Sequence, residues 1–491
     1  VPSTKRAAWL AIAIAITSTA CDEPGRPSIT LPDGAAPPLP EVPWLDAGSD
    51  AGCGVCVATS PCEDARCEGA ECVRTVRDDG AICVEDGTEI CVEGACVARG
   101  CGDGWREPGP EPVREECDDA NAIDGDFCSS ACLPTVAPLI DGAAPDEGDL
   151  AIAIDAVGRV LVVVVERGED AALLRAHRFD RRLRASGEPL ELARTEARDA
   201  LVTPVASGLD AGWAIAWVDP VRGVVVGTLA HDASAAPAFV SVDERSASSR
   251  TEPAIATRGD GLVVAWSETA GAIEDPLGGV RARLFDVHGR PAGASFLVGS
   301  DTSGAEHAPS VAARGDGWAI AWAREDGTPE GHDVRARLFA GRAPIGDELR
   351  IASRAEEAEW SPSIGALETG GFALAWSRRG DEGGIEIGLA RIAESGAADE
   401  PTSLRDDALP LTSPHVVPLA SSAFAVLHRG GIARPVTRLA TVGEVPGIAV
   451  MGDALGAAVP GRIAVASNDD VLIAAWVSAA GDALHALEVV P

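Results

Sequence analysis

Tyrosine is absent from the 491 residues, methionine occurs once, and of 40 Lys+Arg only Lys5 is a lysine. Without Tyr there is no phenolate for a nucleophile, so a glycan-cleaving mechanism of that type is excluded. The bias toward arginine is a compositional trait from which no function follows. There is no H-E-x-x-H and no G-x-S-x-G, and the eight His are scattered, so neither a helical metal site of that kind nor a nucleophile elbow is encoded. Long apolar runs are missing too. The N-terminal run, Ala7 to Ile16, is too short to cross a hydrocarbon layer of ~30 Å as a helix.

Positive charge is scarce. The formal net charge is -36, with 25 Asp+Glu against 7 Arg between Cys21 and Thr135 alone. Such a field repels phosphate backbones and anionic headgroups, which argues against nucleic acid and favours basic or cation-bridged partners.

What is present divides the chain into four parts. Lys5 and Arg6, the apolar run, the small residues Thr17 to Ala20 and then Cys21 form the pattern of an export signal over residues 1–20. A cysteine directly after the small residues resembles the acylated cysteine of a bacterial lipoprotein. That resemblance implies a lipid anchor on Cys21 at the outer membrane or cell surface, with ordinary cleavage and a secreted product as the alternative. Residues 21–52 are rich in Pro, Ala and Asp and have no periodic apolar face, so they read as a disordered tether.

Residues 53–135 carry the other twelve cysteines: Cys53, Cys56, Cys62, Cys67, Cys72, Cys83, Cys91, Cys96, Cys101, Cys117, Cys128 and Cys132. An even number, an exported context and few large apolar residues point to a disulfide-rich module in which crosslinks replace a core. Cys53-Gly-Val-Cys56 has the spacing of half a zinc site, but no comparable second pair and no His accompany it. The stretch Cys101-Gly-Asp-Gly, Glu116-Cys117-Asp-Asp, Asp124-Gly-Asp126 and Cys128-x3-Cys132 resembles the disulfide-rich repeat of myxobacterial surface proteins, which implies a surface location and no reaction. Asp119, Asn121, Asp124 and Asp126 could offer oxygen ligands to calcium. Their spacing departs from the EF-hand loop, and turn formation by the same side chains is the competing explanation. No other cofactor is expected.

Residues 136–491 repeat. A phrase such as Pro309-Ser-Val-Ala-Ala-Arg-Gly-Asp-Gly-Trp-Ala-Ile-Ala-Trp322, followed by Val334-Arg-Ala-Arg-Leu-Phe339, recurs with a period near 50 residues and alternates as half-buried strands do. Four short strands per unit are the content of a propeller blade, so the expected fold is all-β: a seven-bladed β-propeller, or six-bladed if the divergent sixth unit is not a blade. The seventh unit lacks a fourth strand, which the apolar segment Thr135-Val-Ala-Pro-Leu-Ile140 could supply. Trp217, Trp266, Trp322, Trp376 and Trp476 recur at one position and are expected to pack between blades. The Arg-Gly-Asp tripeptides at 258 and 314 fit tight turns better than adhesion.

The longest loops fall on one face and carry Glu274, Asp275, Glu306, His307, Glu325, Asp326, Glu330, His332, Asp333, Glu356, Glu357, Glu359 and Trp360. Of these, Glu274, Asp275, His307, Glu325, Asp326, His332, Asp333 and Trp360 are the candidate binding face. With no catalytic motif, the expectation is a monomeric, non-enzymatic surface lipoprotein whose propeller binds a protein or glycan. The alternative is a secreted glycan- or peptide-acting hydrolase.

Overall fold

A computed structural model describes residues 56–68, 71–105, 132, 137–141, 145–167, 171–196, 204–210, 212–243, 250–259, 261–269, 277–325, 331–352, 359–380, 383–405, 410–418, 424–430, 436–442, 448–451, 463–467, 472–477 and 483–489. Residues 56–57 and Ala65–Val73 group into one compact unit, within which Cys56 is bonded to Cys72. Ala58–Asp64 and the residues from Arg74 onward form the other.

The second unit is built on four-stranded antiparallel sheets, because the repeat alternates strand-forming runs with turns every few residues. In chain order the strands nearest the middle are Pro145–Ile154, Val205–Leu209, Arg250–Arg258, Glu306–Arg314, Glu359–Ala366, Leu411–Pro418 and Ile463–Ser467, and they define a first to a seventh sheet. Each packs beside its counterpart in the next sheet, and the last packs beside Pro145–Ile154. The seventh sheet takes its outer strand from far upstream: Ala137–Asp141 pairs with Ala483–Val489. The fold is β-propeller-like.

The repeated residues do the joining. Trp217, Trp266, Trp322 and Trp376 are at most 1 % exposed, and each packs against the preceding sheet. Trp266 shares a core cluster with Ala214 and Ala216, for example, and Trp376 with Ala319 and Ala321. Small alanines in one sheet leave room for the indole of the next. Hydroxyls stitch the inner strands: the Thr257 N–H donates to Ser207 Oγ (3.1 Å), Ile364 N–H to Ser310 Oγ (3.1 Å) and Val416 N–H to Ser363 Oγ (2.9 Å).

Ahead of the sheets, Cys62–Cys91, Cys83–Cys96 and Cys101–Cys132 are disulfides, and Cys67 is disulfide-bonded as well. Several crosslinks in so short a stretch mark an exported or extracellular protein. Cys53, Cys117, Cys128, the anchor candidate Cys21 and the calcium candidates Asp119, Asn121, Asp124 and Asp126 lie outside the described residues. Arg181 and Arg182, at the turn after the third strand of the first sheet (Ala172–Phe179), hold the cysteine-rich part. Arg181 Nη2 donates to Asp79 Oδ2 (2.7 Å) and Arg182 Nη2 to the Gly104 carbonyl (3.2 Å).

His177 lies in the same strand, paired with Val162. Burial, with a smaller contribution from Arg175, pushes its imidazole down to about 4. The unfolded chain therefore binds a proton between about pH 6.5 and pH 4 that the folded chain refuses, so the neutral imidazole's contribution to stability is lost as pH falls through that window. The expected result is that wild type loses about 2 kcal/mol more stability between pH 7 and pH 5 than His177→Leu does, measured by urea denaturation at each pH. Equal losses in both proteins would refute it.

Candidate functional site

In sheets three to six the inner strand does not begin at the repeated proline. It runs outward past it through a bulge, with register shifts between Thr251 and Ala254, His307 and Ser310, Trp360 and Ser363, and Thr412 and His415. The residue before each proline takes the left-handed conformation: Glu252 (φ 49°), Ala308 (51°), Ser361 (51°) and Ser413 (51°). A bulge re-aims the side chains around it, and here it repeats on one rim. Thr251, His307, Trp360 and Thr412 occupy the same register position in four consecutive sheets.

The fourth sheet turns this rim into a cluster. His307 is the second residue of the inner strand; Glu325 ends the second strand, Gly317–Glu325; His332 begins the third, His332–Ala340, directly opposite Glu325. One ligand-type atom from each of the three lies within 4.8 Å of the others. The imidazoles meet edge to face, with centroids 5.3 Å apart and planes at 82°. Both rings are half-buried and Glu325 is exposed. Burial holds the His307 imidazole below its usual range; Glu252 and Glu325 oppose the shift and His332 adds to it. Glu252 reaches this spot from the third sheet, where its Oε2 accepts the Ala308 N–H (2.8 Å) and the Ser267 hydroxyl (2.7 Å).

Other residues expected on the face are brought elsewhere. Glu306, Asp333 and Glu359 lie in strands and are buried, at 3 %, 3 % and 1 % exposure. Glu306 clamps the seam between sheets: its Oε1 accepts the Trp322 indole N–H (2.9 Å) and its Oε2 the Val280 N–H (3.1 Å). Asp333 is held by Arg335 (3.0 Å) and Arg350 (3.1 Å), and Glu359 stands opposite Arg378 in the ladder. These acids are therefore structural rather than presented, because a buried carboxylate requires donors and each here has them or faces an arginine. Trp360 is half-buried on the rim. Glu274, Asp275, Asp326, Glu330, Glu356 and Glu357 lie outside the described residues. Arg314 of the second Arg-Gly-Asp pairs with Glu394 of the next sheet (3.1 Å).

Glu252 is the residue that sequence reasoning missed. A repeat phrase that starts at proline, as the copy at Pro309 does, starts at Pro253 in the third sheet and leaves Glu252 just outside it. No recurrent signal marks it, because the corresponding pre-proline positions of the next three sheets carry Ala308, Ser361 and Ser413.

No described protein family matches the sequence, and no curated protein matches it either. Solved structures do resemble the fold. A polysaccharide lyase of the PL25 type, an ulvan lyase, superposes over 71 % of this chain and 95 % of its own with a TM-score of 0.50 at 12 % identity. Polysaccharide lyase Uly1 covers 80 % of this chain and 95 % of its own (TM-score 0.43, 10 % identity). A protein of unknown function from Dyadobacter fermentans DSM 18053 covers 73 % of this chain and all of its own (TM-score 0.42, 8 % identity). At such identities the likeness is one of fold. The likeness to the ulvan lyase nevertheless corrects the expectation of a non-enzymatic binding or scaffolding protein. That reading rested on the lack of a contiguous catalytic motif, whereas the fold is like that of a glycan-acting enzyme and its rim gathers titratable groups from separate strands.

Proposed function

We propose that this chain is an exported glycan-cleaving enzyme working at the rim of a closed seven-bladed propeller, with His307, Glu325, His332 and Glu252 at its centre. The observation that carries the reading is the convergence of two imidazoles and two carboxylates from neighbouring sheets at one accessible spot. Breaking a glycosidic bond requires one group to give a proton to the leaving oxygen and another to take one, and this patch holds both kinds. The half-buried indole of Trp360, one sheet on, offers a flat apolar face for a sugar ring. Seven sheets and closure are supported by the succession of inner strands and by the pairing of Ala137–Asp141 with Ala483–Val489.

An acylated Cys21, a tether over 21–52 and a crosslinked module over 53–135 would hold the catalytic domain, 136–491, clear of a membrane as a monomer. The acidic surface supports a partner other than nucleic acid. The test is incubation with a panel of neutral and uronate-containing polysaccharides, reading new reducing ends and the ultraviolet absorbance of unsaturated uronyl products. The first signal alone means hydrolysis; both mean elimination. Cleavage is expected in wild type and a fall of about a hundredfold or more in His332→Ala and Glu252→Gln. No cleavage across the panel, or wild-type rates in both variants, would sink the reading.

A further inference from the structure

The rim cluster has a second property that glycan cleavage does not require. His307 and His332 present imidazole nitrogens and Glu325 a carboxylate, with one donor atom of each inside a 4.8 Å span. Among the described residues neither imidazole is engaged in a hydrogen bond or ion pair. Two other groupings have metal-like composition, Cys62 with Cys83 and Cys91, and Cys83 with Glu89 and Cys96. Their cysteines are consumed by the Cys62–Cys91 and Cys83–Cys96 disulfides, so no thiolate is left to ligate.

We propose that His307, His332 and Glu325 bind one divalent transition-metal ion of the zinc kind, leaving at least one coordination position open to the rim. Two nitrogens and one carboxylate oxygen are a borderline-soft donor set, which suits zinc; calcium and magnesium take oxygen ligands almost throughout. Three protein ligands with an open fourth position is the arrangement of a zinc site that does chemistry, whereas structural zinc sites are closed by four. The backbone pre-positions the set. Glu325 and His332 are a cross-strand pair in the ladder, and His307 is aimed by the bulge that begins one residue later. Exposure of Glu325 gives an ion a way in, and the Glu252 carboxylate beside His307 adds negative charge without being one of the three ligands.

Metal binding stands apart from the glycan reading. Only its use rests on that reading: the ion would then polarise a sugar oxygen or water at its open position, with Glu252 beside it as a carboxylate outside the ligand set.

The experiment uses the full chain, stripped with a chelator and dialysed, then titrated with Zn2+ alone by calorimetry. One equivalent per chain is expected, with affinity reduced about tenfold or more in His307→Ala and His332→Ala. His288→Ala, which alters an exposed imidazole in the third sheet, should bind as wild type does. Far-UV circular dichroism of the metal-free variants checks that they fold, and the milder His307→Gln serves if the alanine variant does not. Loading with Co2+ gives a visible absorption band that reports nitrogen and oxygen ligation and should vanish in both histidine variants. Failure of wild type to take up either ion, or unchanged affinity in both histidine variants, would overturn the proposal. Zinc binding without glycan cleavage would sink only the enzymatic reading; cleavage that survives without any zinc binding would sink only the metal site.

Discussion

Glu306→Ala lowers the stability of the sheet assembly by about 3 to 5 kcal/mol, read as a shift in the urea or thermal midpoint. The side chain bridges two sheets. One oxygen accepts from the Trp322 indole and the other from the Val280 backbone in the preceding sheet, in surroundings where Glu306 is 3 % exposed and Trp322 fully buried. Removing the carboxylate strands two buried donors at once, and each unsatisfied group costs about 1 to 3 kcal/mol. The packing around it is close as well, since a Cβ added at Gly299 would fall on the carboxylate. Glu306→Gln keeps one acceptor and should lose roughly half as much. If both variants melt with wild type, the seam is held by its indoles alone.

The second large effect lies in the cysteine-rich part. Cys62 and Cys91 are both fully buried, and their bond closes a loop with a sequence separation of 29. In the chain-entropy picture a loop of that size contributes about 3 to 4 kcal/mol by restricting the unfolded chain. Few large apolar side chains are available there to compensate. Replacing both cysteines by alanine should open the segment to trypsin, with new cuts after Arg74 and Arg77, while the repeat region stays resistant. Limited proteolysis followed by mass spectrometry reads this directly, and an unchanged digestion pattern would show that the remaining disulfides suffice.

The repeat grammar was legible because a Trp, a run of alanines and a Gly-containing turn recur at fixed spacing, and those are the residues at the sheet seams. The site was only half legible. His307, Glu325 and His332 stood among a dozen polar residues in the same loops, and nothing in the linear order says that His307 faces a residue 25 positions later. Their meeting depends on ladder register, which the bulge before Pro309 resets. That bulge and its counterpart after Trp360 hid the fate of Glu306 and Glu359. Read as loop residues they are exposed acids, but as strand residues one residue nearer the strand end both are buried. Function was misjudged for a related reason. A motif search finds sites built on one stretch of chain, whereas this rim draws on two sheets and four strands.

The strand Ala137–Asp141 has a consequence for time rather than for shape. It sits at the start of the repeat region and its partner, Ala483–Val489, at the end, so their pairing cannot form until nearly all the intervening chain has been made and exported. Contacts so distant in sequence form slowly, because the chain between them must first be gathered in. Until then the growing array presents unpaired strand edges at both ends, the state most open to misassociation. The crosslinked segment upstream is made long before that moment, so the molecule matures in two stages, with the pairing of Ala137–Asp141 and Ala483–Val489 as the last to settle.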